Sequence, residues 1–192
     1  MRISGGDFKG RKVASRKALH RGSGPDIRPT SAKVREALFD ILRPVLSESL
    51  FLDLYAGTGT VGIEAVSRGA HSSCLVESDR GRAAAIGEAL QRIDAGDRVK
   101  VYRDDAAGFL RKAADTGLSF DIIFADPPYA SEEIERILPL IACGAVLKTG
   151  GLLVLERPSR AAVPSGANEG ILRFHKDYRY GDTTLSLFRK DT

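Results

Sequence analysis

The sequence predicts an α/β fold of the Rossmann-like, doubly wound type, with a seven-stranded sheet that is mostly parallel and ends in an antiparallel β-hairpin. Three observations predict it. Short apolar runs alternate with helical stretches between residues 50 and 156, a glycine-rich loop follows the first run, and two β-rich segments flank Gly181-Asp182 near the C terminus. Strands that alternate with helices form parallel sheets, because each helix carries the chain back across the sheet before the next strand.

The elements follow from the spacing of apolar residues and from turn signals. Five parallel strands are predicted at Leu50–Tyr55, Cys74–Glu77, Val99–Arg103, Phe120–Ala125 and Gly151–Glu156. The helices between them are predicted near Val61–Arg68, Arg80–Ile93, Ala106–Ala114 and Ser131–Ile141. The terminal hairpin is predicted from Leu172–Tyr180 and Thr183–Arg189, because an aspartate-containing turn separates these two segments.

Length and composition exclude several classes of protein. At 192 residues the chain suits one domain with a short appendage. No apolar run approaches the ~18 residues of a membrane span, and the first residues lack the apolar stretch of a secretion signal. The two cysteines, Cys74 and Cys143, belong to no Cys/His cluster. We therefore expect a cytoplasmic protein that contacts no membrane and binds no metal.

Positive charge is concentrated at the start of the chain. Residues 1–43 hold 11 Lys/Arg and 4 Asp/Glu, whereas residues 44–192 hold 18 and 21. A basic segment before a near-neutral body indicates contact with a polyanion, and we favour nucleic acid over a solvated leader. We accordingly divide the chain into a basic N-terminal extension (1–43) and a main domain (44–192).

The extension contains signals for a short hairpin and for a helix. Glycines among apolar residues favour a hairpin around Gly5-Gly6 or Gly10. After Arg28-Pro29, either Thr30 or Ser31 caps the predicted helix, and Pro44 is expected to end it. An apolar stripe supports this helix, at Val34, Leu38, Ile41 and Leu42.

A glycine-rich loop follows the first predicted strand. Its glycines fit the G-x-G-x-x-G spacing of dinucleotide-binding enzymes, and Glu77 lies 20 residues after Gly57, where a ribose-binding acid is expected. Asp53 near the mouth of the loop argues against a dinucleotide, because a carboxylate repels a pyrophosphate. S-adenosylmethionine carries no phosphate, and its ammonium and sulfonium groups favour a neighbouring acid.

Acidic residues follow three different strands, and ligands of such sheets bind at the carboxyl ends of the strands. Glu77 can accept hydrogen bonds from both ribose hydroxyls. Asp105-Ala106 can meet the adenine edge with a carboxylate and a backbone N–H. Since Asp104 is adjacent, one of the two aspartates is expected to act only as a helix cap.

The tetrapeptide Asp126-Pro127-Pro128-Tyr129 follows the fourth predicted strand. It brings a carboxylate, a stiffened backbone carbonyl and an aromatic ring into one tight turn. The ring can stack on a flat molecule, and the two oxygens can accept the hydrogens of an exocyclic amine. This combination indicates an enzyme that methylates amino groups.

With these motifs the chain resembles the class I S-adenosylmethionine-dependent methyltransferases. More narrowly it resembles the bacterial RsmD family, which methylates the exocyclic N2 of a guanine in small-subunit ribosomal RNA. Many methyltransferases share the cofactor loop, so two N-terminal signatures narrow the resemblance: Ile3-Ser4-Gly5-Gly6 with Gly10-Arg11-Lys12, and Arg28-Pro29-Thr30 followed by Val34-Arg35-Glu36 and Leu38-Phe39. The tail after Arg157 matches weakly.

The resemblance implies S-adenosylmethionine as cofactor, and it makes residues 44–192 the methyltransferase domain. The implied cofactor-binding residues are Asp53, Tyr55, Ala56, Gly57, Thr58, Gly59, Glu77, Asp105 and Ala106. The implied catalytic residues are Asp126, Pro127, Pro128 and Tyr129. The RNA-binding residues that we expect are Arg11, Lys12, Arg16, Arg28, Thr30 and Arg35. We expect a monomer that acts on 16S ribosomal RNA within an assembled or assembling 30S particle.

Three other functions remain open on the sequence. An adenine-N6 or cytosine-N4 methyltransferase would use the same tetrapeptide, although no sizeable target-recognition domain for DNA is present. A nicotinamide dehydrogenase fits the glycines but not Asp53 or the Asp126 motif. A ribosome assembly factor without catalysis is disfavoured by the intact Asp126 motif.

Overall fold

The computed structural model describes residues 1–13, 30–128, 132–143, 145–164 and 171–191. Within them lie five α-helices: α1 (Ala32–Leu46), α2 (Thr60–Ser67), α3 (Arg80–Ile93), α4 (Ala106–Asp115) and α5 (Glu133–Ala142). The strands are β1 (Leu50–Leu54), β2 (Ser72–Val76), β3 (Val99–Tyr102), β4 (Phe120–Ala125), β5 (Leu147–Pro158), β6 (Leu172–Tyr180) and β7 (Thr183–Lys190). They belong to one seven-stranded mixed sheet, which confirms the predicted fold class.

The chain divides into two compact units, residues 1–105 and 106–192. In the first unit three parallel strands lie in the order β3-β2-β1, with Leu54 opposite Val76 and Val76 opposite Tyr102. Strand β1 is buried from Phe51 to Leu54, and β2 is buried at its carboxyl end. The acids Asp53 and Glu77 come at or just after the carboxyl ends of these two strands.

In the second unit the strand order is β4-β5-β7-β6. Strands β4 and β5 are parallel, whereas β5–β7 and β7–β6 are antiparallel. Tyr180 pairs with Thr183 across the turn, and Gly181 has a φ of 63°, a conformation that glycine adopts without strain. The predicted terminal hairpin is therefore confirmed.

Residues 1–13 form a hairpin-like loop that belongs to the first unit. Arg2 and Lys12 are bridged in antiparallel fashion, and the Ile3 N–H donates to the Arg11 carbonyl at 3.1 Å. Ile3, Phe8 and Val13 are buried. These residues are thus an integral part of the unit and not a separate extension, because three apolar side chains anchor them. Residues 14–29, which the predicted extension also includes, lie outside the described residues.

Helix α1 begins as predicted but ends later. The Ser31 hydroxyl accepts a hydrogen bond from the Val34 N–H at 3.2 Å, which makes Ser31 the N-cap. The helix continues through Pro44 to Leu46, so Pro44 does not end it and the predicted boundary between residues 43 and 44 falls inside a helix. Leu42 and Leu46 are both buried, and their burial offsets the hydrogen bond that the proline cannot make.

Candidate active site

The glycine-rich loop between β1 and α2 has a backbone that few residue types can adopt. Gly57 and Gly59 have φ angles of 56° and 71°. A Cβ atom at Gly59 would lie 2.9 Å from side-chain atoms of both Ile86 and Leu75. Gly59 therefore serves two purposes, a left-handed conformation and a close approach to the core.

Tyr55 also has a left-handed backbone, with a φ of 65°. Such a conformation is rare for an aromatic residue and costs on the order of 1–3 kcal/mol, and strained residues of this kind cluster at ligand-binding turns. Tyr55 is half-buried at the end of β1. Its conformation is a structural reason, independent of the motif, to place a ligand near this turn.

Two buried carboxylates accept hydrogen bonds from backbone N–H groups of the loop and of the helix that follows it. Asp53 is 1% exposed, and its Oδ2 accepts from the Gly62 N–H at 2.9 Å. The Oε2 of Glu77 accepts from the Gly57 N–H, also at 2.9 Å. Gly57 and Gly62 are the first and third glycines of the fingerprint spacing, and both donate their N–H groups to these carboxylates. The two carboxylates place negative charge against the loop, which disfavours a pyrophosphate there.

Glu77, which follows β2, makes further hydrogen bonds besides that to the loop. Its Oε1 accepts from the Asp79 N–H at 2.8 Å and from Arg82 Nε at 3.1 Å, and the residue is 4% exposed. A carboxylate has about four lone-pair sites. Three are occupied here, so Glu77 is held in one orientation and can still accept from a ribose hydroxyl. Arg82 was missed by the sequence analysis, although it follows Glu77 by five residues.

Asp105 lies in the turn between β3 and α4, and Ala106 begins α4. The Asp104 carboxylate accepts from the Asp105 N–H at 3.1 Å, which makes Asp104 the residue that shapes this turn. Asp105 is exposed, and Ala106 is buried as the first residue of α4. Of the two adjacent aspartates, Asp105 is thus the one more open to a ligand.

The motif to which the sequence analysis assigned catalysis follows β4 directly, as predicted. Asp126 is half-exposed, Pro127 is buried and Pro128 is exposed. A proline restricts the residue before it to an extended backbone, so Pro127 and Pro128 fix the chain as it leaves the sheet. Tyr129 lies outside the described residues.

The predicted RNA-binding residues fall into different environments. Arg11 and Lys12 are exposed, but the Arg11 guanidinium donates to the Ile93 carbonyl at the end of α3 and lies 5.3 Å from the centre of the Phe8 ring. Thr30 is half-buried before α1. Arg16 and Arg28 lie outside the described residues.

Arg35 does not fit its expected role as an RNA contact. It is 4% exposed, and its Nε donates to Glu64 Oε2 at 2.7 Å. A guanidinium that is enclosed in the protein and paired with a buried carboxylate is not presented to a phosphate. We therefore leave Arg35 out of the RNA-binding surface proposed below.

Glu64, which receives Arg35, was also missed by the sequence analysis. It is fully buried in α2, and Arg68 Nε donates to it at 2.8 Å. Burial by itself raises the pKa of Glu64, but hydrogen bonds from Ser4 and Arg68 and the charge of Arg35 outweigh it, so the pKa lies below its ordinary value. One signal was available in the sequence: an acid within the apolar run 61–66 must find a partner when the helix is buried.

Comparison with known proteins decides the family. The family described as "Conserved hypothetical protein 95" matches residues 1–189. The Ribosomal RNA small subunit methyltransferase D of Escherichia coli K12 is 31% identical over 191 residues, which cover 100% of this chain and 90% of the relative. The chain belongs to the RsmD family. This is a family of S-adenosylmethionine-dependent ribosomal RNA methyltransferases, and the resemblance found in the sequence is confirmed.

Two solved structures support the same conclusion for the fold. The structure of yhhF from Escherichia coli aligns over 100% of this chain and 98% of its own, with 30% identity and a TM-score of 0.81. The Thermus thermophilus 16S rRNA N2 G1207 methyltransferase (RsmC), solved with AdoMet and guanosine, aligns with a TM-score of 0.70 at 21% identity, over 88% of this chain and 45% of its own. At that identity the second likeness shows the fold alone.

Two further findings concern the described residues only. No helix among them is long and apolar enough to cross a membrane. No group of three His, Cys, Asp or Glu side chains in the described ranges is arranged to hold a metal ion.

Proposed function

We propose that this protein transfers the methyl group of S-adenosylmethionine to the exocyclic N2 of a guanine in small-subunit ribosomal RNA. The observation that carries the proposal is the position of Asp126-Pro127-Pro128, immediately after the buried strand β4 and with a half-exposed carboxylate. Relatives named for small-subunit ribosomal RNA supply the class of substrate. The resemblance of the two N-terminal signatures and the Asp126 motif to the RsmD family makes guanine N2 the favoured acceptor.

The cofactor is assigned to the loop of residues 53–59 together with Glu77, Asp105 and Ala106. Asp53 and Glu77 make the loop anionic, which suits the ammonium and sulfonium groups of the cofactor. Glu77, held by Arg82, accepts from the ribose, and Asp105 accepts from the adenine amine. These roles need no phosphate-binding amide, and the Gly57 amide is already donated to Glu77.

The chemistry assigned to the Asp126 motif is positioning followed by proton removal. The guanine amine is a poor nucleophile because its lone pair is delocalised into the ring. If the Asp126 carboxylate and the Pro127 carbonyl accept its two N–H bonds, the lone pair turns out of conjugation and toward the sulfonium methyl. The N–C bond forms as the C–S bond breaks, S-adenosylhomocysteine leaves, and the proton of the cationic nitrogen passes to Asp126. Most of the rate gain comes from orientation and charge stabilisation.

The target base must leave its stack to reach such a motif, and Tyr129 is assigned the role of stacking on it. Stacking on an aromatic ring is worth about 1–3 kcal/mol per base. Arg11 and Lys12 are the exposed basic residues that we assign to the RNA backbone, with Arg16, Arg28 and Thr30 completing the surface. We further propose that the enzyme acts as a monomer on an assembled or assembling 30S particle.

The identity of the methylated nucleoside tests the proposed function. Purified protein is incubated with methyl-labelled S-adenosylmethionine and subunit RNA from cells that lack this gene, both as naked RNA and as assembled particles. We expect label in N2-methylguanosine after complete digestion, with particles labelled faster than naked RNA. Label in N6-methyladenosine would overturn the guanine assignment, and equal rates for both substrates would overturn the particle assignment.

Replacement of Lys12 by alanine tests the basic surface. We expect weaker RNA binding and a salt dependence whose log–log slope falls by about 0.7–0.9, because one phosphate contact and its counterion release are lost. The matched control is Lys148→Ala, since Lys148 is already paired with Asp121 at 2.8 Å and has little net charge to offer. A slope in the Lys12 variant equal to that of the parent and of the Lys148 variant would remove Lys12 from the RNA-binding surface.

A further inference from the structure

The first eight residues, which we call the N-terminal strap, lie along helix α2 from its first residue to its last. The Thr60 hydroxyl donates to the Met1 sulfur at 3.8 Å. The Ser4 hydroxyl donates to Glu64 in the middle of the helix. At the far end the Asp7 N–H donates to the Ser67 carbonyl at 2.8 Å. The strap therefore contacts α2 over its whole length.

The strap is joined to α2 and α1 at one carboxylate. Glu64 of α2 is 0% exposed. Its carboxylate accepts hydrogen bonds from Arg35 of α1 at 2.7 Å, from Arg68 at 2.8 Å, and from both the hydroxyl and the N–H of Ser4. Arg35 also donates to the Arg2 carbonyl of the strap at 3.2 Å. Three chain segments therefore meet at Glu64, and all of them belong to the first unit.

The close approach of the strap to α2 depends on Gly6. A Cβ atom there would lie 1.6 Å from the Ser67 carbonyl oxygen of α2, and Gly6 has a φ of 74°. A Cβ atom at the neighbouring Gly5 would lie 2.6 Å from the guanidinium carbon of Arg68, the end of a flexible side chain that can shift. The family signature therefore has a packing role at Gly6, because no larger side chain fits between the strap and the helix backbone there.

The cofactor loop leads directly into the first turn of α2, the helix that the strap contacts. Gly59 is its N-cap, the Gly62 N–H donates to Asp53, and the Thr58 and Thr60 hydroxyls are 2.8 Å apart. Helices shorter than about 12–15 residues are marginal alone, so the position of the eight-residue α2 is set by what packs against it. A change at Glu64 therefore reaches the loop through a single helical turn.

We infer that Glu64, together with Ser4, Arg35 and Arg68, is a positioning residue for the cofactor loop. The strap and α1 hold α2, and α2 presents Gly57 and Gly59 in the geometry that S-adenosylmethionine requires. The inference rests on the proposed assignment of the cofactor to this loop. It gives the two N-terminal signatures a role in cofactor affinity, beyond contact with RNA.

A purely stabilising ion cluster is the alternative, because removing one partner of a buried pair is strongly destabilising whatever its location. A comparable cluster lies in the second unit, around an arginine that is as buried as Arg35, although its acid, Asp177, is exposed. Arg157 is 4% exposed, its Nε donates to the Ser186 hydroxyl at 2.7 Å, and its terminal nitrogen donates to Asp177 at 2.6 Å. Asp177→Asn thus removes a carboxylate from an enclosed arginine, as Glu64→Gln does, without touching α2.

The experiment measures S-adenosylhomocysteine affinity by calorimetry, thermal midpoints, and the KM and kcat of methyl transfer. Because couplings between sites typically amount to roughly 5- to 150-fold in affinity, we expect Glu64→Gln to weaken binding about tenfold, and Ser4→Ala, which leaves both arginines paired, to weaken it less. Both variants should raise the KM for S-adenosylmethionine and retain the parental kcat at saturation. Asp177→Asn should lower the thermal midpoint and leave the affinity unchanged.

The affinities of the four variants decide between the inference and its alternative. Parental affinity in Ser4→Ala and Glu64→Gln overturns the inference, as does a loss in Asp177→Asn equal to that in Glu64→Gln. If Glu64→Gln does not fold, Ser4→Ala alone decides it. Glu77→Ala tests the assignment of the cofactor to this loop, on which the inference rests. If Glu77→Ala binds S-adenosylhomocysteine like the parent, the loop is not the cofactor site. If Glu77→Ala is the only variant that loses affinity, the loop assignment stands and the positioning role of Glu64 is wrong.

Discussion

Asp126→Asn is expected to slow methyl transfer by about 10²- to 10³-fold, as is found when a group that stabilises developing charge is removed. Asparagine has nearly the same shape as aspartate, so the turn held by Pro127 and Pro128 is preserved. The variant loses the negative charge that stabilises the cationic nitrogen and the base that takes its proton. The measurement is the single-turnover rate at saturating S-adenosylmethionine and RNA, together with cofactor affinity by calorimetry, which should equal that of the parent.

The matched control for this prediction is Asp121→Asn. Asp121 lies on the same strand, β4, and pairs with Lys148 at 2.8 Å near the opposite end. It is expected to keep the parental rate, because its carboxylate takes no part in the proposed chemistry. If Asp126→Asn turned over like Asp121→Asn, the catalytic assignment would be wrong.

Glu77→Ala is expected to weaken cofactor binding by about 10- to 100-fold, since hydrogen bonds to charged groups contribute on the order of 1.5–3 kcal/mol. The variant loses the proposed ribose contact. It also releases the Gly57 N–H and Arg82 from the carboxylate that holds them. The two effects act in the same direction, because a freed amide and an unpaired arginine no longer fix the loop.

Titration with S-adenosylhomocysteine checks this prediction, and Glu88→Ala on the exposed face of α3 is the control. The control should bind like the parent, because Glu88 is exposed and lies in the second half of α3, not in the turn that follows Glu77. Parental affinity in Glu77→Ala would contradict the assignment of this acid to the cofactor. At saturating cofactor the kcat of Glu77→Ala should recover to near the parental value, which distinguishes it from Asp126→Asn.

Most of the secondary structure could be predicted because its signals are local. Strand β4 was predicted with its observed bounds, Phe120–Ala125, since an apolar run ends at a rigid Asp-Pro-Pro turn. The terminal hairpin was marked by Gly181, whose positive φ the turn requires. Strand β5 is longer than predicted, Leu147–Pro158, because its pairing with β7 over residues 152–158 extends it at one end.

The predictions that failed depend on contacts between distant residues. Arg35 was placed on an RNA surface as a basic residue within a family signature, but its partner Glu64 is 29 residues away in the chain. Helical periodicity predicts which face of a helix carries a residue, but it does not predict which residues of other segments contact that face. Pro44 was expected to end α1 from local chemistry alone, and the buried Leu46 overrides that preference.

The cofactor loop shows an intermediate case. Asp53 and Glu77 were predicted from the sequence to lie at the ends of two strands, and an acid beside the loop argued against a bound pyrophosphate. The sequence could not show that both carboxylates accept from glycine amides of the loop itself. This internal bracing explains in physical terms why the same glycine spacing can serve a phosphate-free cofactor.

The central claim is that the exocyclic N2 amine of a guanine accepts the methyl group through the Asp126 motif. The most direct measurement uses particles reconstituted with RNA in which the guanosine found to carry the label is replaced by inosine, which lacks only that amine. We predict that the inosine particle binds the protein as the guanosine particle does and accepts no methyl group at that position. Methyl transfer to the inosine position at the parental rate would contradict the claim.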